Sequence, residues 1–345
     1  MSQLIQSIGL GNLKNCAQNL LHQQPTLTTL LLALGSFSAI RVVYQTLSVF
    51  LQTFVLPGKS LKKFGAKQGA WAVVTGATDG IGKEFALQLA KGGFNVFLVA
   101  RNTALLTSVG AEIEEKYKVQ TRTHSIDFAK SGDAEYNGLA KAVEGLDVGV
   151  LVNNVGKSHN MPAYLVDTPQ DEIKDIVAIN VNATIKVTYI VLPGMVARKR
   201  GLILNVGSFA GAVASPMLAV YSGTKAFLSK FSDAIGEEVR KDGIVVEHLN
   251  TYFVVSKLSK IRKSTPLIPK PAPYVRSVLA KIGLSCGAAY SGRPNTSTPY
   301  WSHALLDYAI TLIGIPSLFI SYTHGLHIDI RRRALRKLER DSKAQ

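Results

Sequence analysis

Tyr221 and Lys225 stand four residues apart in the run YSGTK, and Ser208 lies thirteen positions upstream. On a helix, residues four apart lie one above the other on a single face, so this spacing sets an ammonium beside a phenol. Tyrosine ordinarily titrates near about 10, and a neighbouring cation favours its charged form, which moves the phenol toward acid–base work near neutral pH. A phenol poised in this way can give a proton to a carbonyl oxygen while a hydride reaches the carbon. Such chemistry needs a hydride donor held at the same place.

The run from Trp71 to Gly76 is apolar and of strand type, and residues 81–93 have helical periodicity that stops at Gly92 and Gly93. At their junction stand Thr75, Gly76, Gly80, Ile81 and Gly82. The three glycines let the backbone turn tightly and approach a pyrophosphate at the helix N-terminus, although the same pattern taken alone also suits an ordinary strand-to-helix turn. The next strand, NVFLVARN, ends without the carboxylate that would hold a ribose 2′-hydroxyl. Arg101 stands there, which points to a 2′-phosphate and so to NADP(H), with a plain solvated arginine as the alternative.

With these motifs in view, the chain resembles the short-chain dehydrogenase/reductase family. The resemblance rests on the glycine turn, NNVG at 153–156, Asn180 in AIN, Ser208 in NVGS, and YSGTK, and it covers about residues 71–256. It implies an α/β fold, a Rossmann-type doubly wound parallel sheet. It also implies roles: Tyr221 as general acid, Ser208 orienting the substrate, Lys225 on the nicotinamide ribose, and Asn180 holding a water that relays protons to Lys225. Asp127 after the third strand matches a residue that contacts adenine, its other reading being a strand-end turn former. Asn154 lies beside the cofactor, and Val254 and Ser256 would cover the carboxamide. Two departures stand out: Val155 replaces a small alanine, and residues 251–256 lack the proline and glycine usual after the sixth strand.

At 345 residues the chain exceeds the roughly 250 that one such domain requires. Residues 1–25 read as a tail and 26–56 as a transmembrane anchor, largely apolar and interrupted only by Arg41, with a signal peptide and a buried core helix as competing readings. A basic linker follows at 57–70. Lys59, Lys62, Lys63 and Lys67 follow the span and only Lys14 precedes it, which places the catalytic domain in the cytosol. Cys16 and Cys286 suggest neither a disulfide framework nor a metal cluster, and His324 with His327 lacks a third ligand, so no metal is assigned.

The net charge is +16, 39 Lys and Arg against 23 Asp and Glu. That excess suits nucleic acid, anionic lipid or acidic substrates. No nucleic-acid-binding motif accompanies it, and the basic clusters lie beside apolar segments, an arrangement that suits a membrane surface or the phosphates of a CoA ester. Residues 257–303 read as a substrate lid, with an amphipathic helix in YVRSVLAKIGL whose apolar face would suit an acyl chain. Residues 304–345 read as an apolar segment and basic tail, packed on the domain or dipping into the leaflet; a second span would set the arginine-rich tail on the wrong side.

The lid pattern and PYWSHAL extend the resemblance to the microsomal 3-oxoacyl-CoA reductases of fatty-acid elongation. This implies NADPH as cofactor, a very-long-chain 3-oxoacyl-CoA as substrate, a single-pass protein of the endoplasmic reticulum membrane, and a condensing enzyme, a dehydratase and an enoyl reductase as neighbours. Another lipid ketone, a steroid or a 3-keto sphingoid base, would suit the same catalytic residues, and a catalytically silent scaffold is the reading from another class. Fold analogy implies a homodimer through the helices bearing Asn180 and Tyr221. The terminal SKAQ has only one lysine of a dilysine retrieval signal.

Overall fold

Five short runs rich in Val, Ile and Leu and two polar ones at the edges supply the sheet. In the computed structural model, which describes residues 24–343, they are β1 (Trp71–Thr75), β2 (Asn95–Ala100), β3 (Thr121–Ser125), β4 (Val148–Asn153), β5 (Gly201–Val206), β6 (Ile244–Leu249) and β7 (Thr296–Ser297). All pair in parallel, in the order β3-β2-β1-β4-β5-β6-β7. β1, β4 and β5 are buried along their whole length, which is why they read as continuous apolar runs rather than alternating ones. β3 lies on an edge, and its Thr-Arg-Thr-His-Ser sequence is accordingly polar and largely exposed.

Helices follow in chain order: α1 (Pro25–Phe50), α2 (Gly80–Gly92), α3 (Thr103–Tyr117), α4 (Asp133–Val143), α5 (Gln170–Val177), α6 (Ala183–Arg198), α7 (Phe209–Ala212), α8 (Ala219–Glu238), α9 (Pro271–Ala280), α10 (Trp301–Ile313) and α11 (Pro316–Lys343). One sheet face is covered by α2, α3 and α9, where Phe85, Leu89, Ile113 and Tyr274 pack on Val74, Leu98 and Leu204. On the other, Tyr136, Val187, Met195 and Ile235 pack on Val73, Phe97 and Ile203. Because β2 and β4 leave β1 on opposite sides, the crevice between them opens at the carboxyl ends of β1 and β4, where ligands bind in such sheets.

The chain divides at Phe50 into two units. In the first, α1 is predominantly apolar; with the π turn Leu51–Val55 that follows it makes 31 residues containing an 18-residue stretch of mean hydropathy 1.6, long enough to cross a membrane. The tail before residue 24, with Lys14 and Cys16, and the last two residues of SKAQ lie outside the described residues.

One expectation changes here. Residues 257–303 are not simply a lid: α9 packs on α2 with Tyr274 and Val275 fully buried, and β7 adds an edge strand beside β6. The apolar face of α9 is filled by the protein's own core, so it is not an acyl-chain surface. Residues 304–322 are broken by Gly314, left-handed at φ 63°, and by Pro316, and the 13-residue α10 is about 20 Å long against a hydrocarbon core of about 30 Å.

Candidate active site

The glycine turn is built by packing as much as by backbone freedom. Gly76 and Gly80 adopt φ of 65° and 54°, and a Cβ on Gly82 would stand 2.2 Å from the Gly76 carbonyl oxygen. Thr75 Oγ1 accepts from the backbone N–H groups of Asn154 and Val155 at 3.0 and 3.1 Å, and Asn154 Nδ2 donates to the Thr75 and Gly76 carbonyls. Thr75 and Asn154 thereby fasten the ends of β1 and β4 to each other. Ile81 packs on the core. Asp79, at the N-cap of α2, makes no side-chain bond to the helix, which leaves the first-turn N–H groups facing the crevice for a pyrophosphate. Arg101 is exposed at the end of β2 and has no ion pair among the described residues.

Ser208 follows β5 and caps α7, its Oγ accepting from Ala210 N at 3.2 Å. Tyr221 and Lys225 lie one turn apart on α8, the Lys225 Nζ 5.7 Å from the Tyr221 ring centroid. That Nζ donates to the Val206 carbonyl at 2.8 Å. Asn180 sits in a π turn, Ala178–Asn182, that interrupts the helix between α5 and α6. Its Oδ1 accepts from Lys157 N at 2.8 Å, and its Nδ2 donates to the Lys157 carbonyl and to Thr224 Oγ1, both at 2.9 Å. A Cβ on Gly156 would lie 3.6 Å from Asn180 Oδ1 and 3.7 Å from Lys225 Nζ, so the NNVG loop passes directly over this pair.

Burial decides the protonation states. It pushes the Tyr221 phenol above its ordinary value, opposed by a hydrogen bond with Ser208, and brings Lys225 down to about 8. Desolvation, opposed by the Ser208 hydrogen bond, therefore sets the direction for the phenol, contrary to the lowering expected from a lysine neighbour. A neutral phenol is the form that donates a proton.

The sequence-derived residues do not all converge. Asn180, Ser208, Tyr221 and Lys225 form one cluster; Thr75, Gly76, Gly80, Gly82 and Asn154 line the crevice beside it. Asp127 accepts from Ala129 N at 3.2 Å and its carbonyl accepts from Ser131, the bonding of a strand-end turn. Val254 is buried in the core, while Ser256 stands across from Gly80 and is held by Ser259 N at 3.1 Å. Sequence reasoning missed Thr224 and Lys157, which fix Asn180. It also missed the buried chain in which Asn153 donates to Asn205 and Thr188, and Asn205 to Ser232, tying β4 and β5 to α6 and α8. Thr224, inside YSGTK, was the one with a visible position on the right helix.

A profile described as short chain dehydrogenase matches residues 70–266. The chain belongs to the short-chain dehydrogenases. This short-chain dehydrogenase is 75% identical over 336 residues to the very-long-chain 3-oxoacyl-CoA reductase of Coprinopsis cinerea, covering 97% of the chain and 99% of the relative. It is 73% identical to the protein of that name from Laccaria bicolor, with the same coverage, and 50% identical to that of Mycosarcoma maydis over 91% of each. Among solved structures, a 7beta-hydroxysteroid dehydrogenase superposes with a TM-score of 0.65 at 24% identity, covering 74% of this chain and 97% of its own. A short-chain dehydrogenase from Sphingobium yanoikuyae in complex with NADPH gives 0.58 at 22%, covering 71% and 95%. These structures share the fold; the dehydrogenase is an oxidoreductase with a nicotinamide cofactor site.

Proposed function

We propose that this short-chain dehydrogenase reduces very-long-chain 3-oxoacyl-CoA to 3-hydroxyacyl-CoA with NADPH, the second step of fatty-acid elongation. The observation that carries the substrate is the likeness, over almost the whole length of both chains, to relatives named for that reaction. The cluster of Ser208, Tyr221, Lys225 and Asn180 supports the chemistry. In it the protonated Tyr221 hydroxyl gives its proton to the 3-oxo oxygen, and Ser208 orients that oxygen and stabilises the charge developing on it. Lys225 keeps a positive charge behind the phenol, and Asn180, clamped by Lys157 and Thr224, holds the π turn that faces Lys225.

The cofactor, when bound, supplies the hydride. Thr75, the turn glycines and the α2 N-terminus would hold its pyrophosphate, Arg101 its 2′-phosphate, Asp127 its adenine, and Lys225, Asn154, Val254 and Ser256 its nicotinamide end. α1 would anchor the chain in the endoplasmic reticulum membrane in a single pass, with the catalytic unit in the cytosol beside a condensing enzyme, a dehydratase and an enoyl reductase. Dimerisation through α6 and α8 completes the reading.

NADPH oxidation by membranes containing the chain, offered a very-long-chain 3-oxoacyl-CoA, a steroid ketone and a 3-keto sphingoid base, tests the substrate. Turnover of the acyl-CoA supports the proposal. Activity confined to another ketone reassigns the substrate, and absence of any activity favours a silent scaffold. Arg101→Ala is expected to weaken NADPH binding, read by cofactor fluorescence, while leaving NADH binding unchanged.

A further inference from the structure

Between Asp307 and Asp329 the chain carries no Lys, Arg, Asp or Glu, and the bend joining α10 to α11 exposes every residue from Leu312 to Leu318. Leu312, Ile313, Ile315 and Leu318 are 47–55% exposed. A contiguous exposed apolar patch of this kind marks a contact site. Beyond Asp329 the composition reverses: residues 329–343 hold seven Lys and Arg against three Asp and Glu, nearly all exposed. An apolar bend followed by a cationic helix is the pattern of a segment that lies in a lipid–water interface.

The position of this bend identifies the lipid. α1 runs on into Leu51–Val55, and that turn packs against α10. It is fastened to the catalytic unit: Cys286 N donates to Gln52 Oε1 at 3.0 Å, Gly58 N to the Ala280 carbonyl at 2.8 Å, and Lys59 N to the Ile282 carbonyl at 2.7 Å. Phe54, Val55 and Leu56 remain 42–59% exposed. The turn that follows α1 in the chain is therefore fixed beside α10 within the catalytic unit.

We infer that the α10–α11 bend is a second membrane contact, its apolar residues in the interfacial layer of the leaflet from which α1 emerges and the arginine-rich half of α11 on anionic headgroups. The inference rests on the reading of α1 as an anchor. It also gives the site a place relative to lipid. α11 holds both loops on the substrate side, His327 Nδ1 donating to the Pro216 carbonyl at 2.7 Å and Arg331 Nη1 to the Pro162 carbonyl at 2.9 Å. Pro216 lies between Ser208 and Tyr221 in the chain. On the Pro162 loop, Leu165 and Val166 are 57% and 94% exposed. A bound α11 thus sets the mouth of the site at the lipid surface, where an acyl chain is already dissolved.

Full-length Cys16→Ser chain, reconstituted into phosphatidylcholine vesicles with and without phosphatidylserine, is labelled with a fluorophore at one of three positions; the buried Cys286 does not react. Leu318→Cys reads the bend, Val43→Cys the anchor, and Thr123→Cys the far edge of the sheet. Nitroxide-labelled lipid is expected to quench the labels at Val43 and Leu318 and spare Thr123. Quenching at Val43 without quenching at Leu318 overturns the inference and leaves the anchor standing; no quenching at Val43 removes the anchor and the inference with it. Joint substitution of Arg332, Arg333 and Arg336 by Glu is expected to bring Leu318 quenching on phosphatidylserine vesicles down to the Thr123 level, with cofactor fluorescence confirming a folded site. Unchanged quenching in that variant overturns the headgroup contact.

Discussion

Lys225 is 4% exposed, with its ammonium on the Val206 carbonyl and its pKa brought down to about 8 by burial. If its charge stabilises the phenolate that forms as Tyr221 gives up its proton, kcat/KM for ketone reduction falls as pH rises through about 8, and a profile flat well above that pH would refute the role. His248 is a second buried base, held at about 3 by desolvation and by the charges of Arg293 and Lys225, while in the unfolded chain it titrates near 6.5. Between those values the unfolded state binds the extra proton, so His248 contributes stability that is present above about pH 6.5 and is lost as pH falls toward 3. Denaturant unfolding measured from pH 7 down to pH 4 should show this decline, and His248→Gln should make it shallower. Nothing in EHLN announces such a histidine. Its environment is created by the backbone at Gly207, where an added Cβ would meet the ring at 2.0 Å. Tyr221, Lys225, Ser208 and Asn180 were legible because their types and spacing form a recognisable set; Thr224, Lys157 and Asn205 were not, because each acts through a partner 23–52 residues away.

At the scale of elements, the strand–turn–helix at 71–92 was readable because its three glycines, apolar run and helical period agree with one another. The structure adds why Gly82 is required: a Cβ there meets the Gly76 carbonyl and the Asn154 amide. Gly82→Ala is therefore expected to cost about 1–3 kcal/mol of stability, seen as a lowered Tm, and to weaken cofactor binding at the same time. A variant with unchanged Tm and unchanged binding would contradict this packing. The π turn at Ala178–Asn182 had no sequence signature, since its contacts are tertiary: it and α5 pack against α8, and Asn180 bonds Lys157 beyond the NNVG loop. α9 was seen as an amphipathic helix, but which body its apolar face covers is a tertiary fact. Periodicity marks a face without naming its partner.

At the scale of the molecule, the part of the chain after residue 256 was the least legible because its bonds run back to distant segments. Asp307 on α10 is 2% exposed and accepts from Arg293 Nη2 at 2.8 Å, Asn250 Nδ2 at 2.9 Å and Thr298 Oγ1 at 2.5 Å, joining β6, the β7 edge and α10. Asp307→Ala leaves a buried guanidinium and amide without their acceptor and is expected to destabilise the catalytic unit by about 3–5 kcal/mol in denaturant unfolding. A loss within experimental error would deny the cluster a structural role. The acid proposed at the centre of the site can be tested directly. The measurement is NADPH oxidation with a very-long-chain 3-oxoacyl-CoA by the wild-type chain and by Tyr221→Phe, with cofactor binding followed in both. The account expects turnover to fall by about 10²–10⁴-fold in the variant while NADPH still binds; turnover by Tyr221→Phe at the wild-type rate would contradict it.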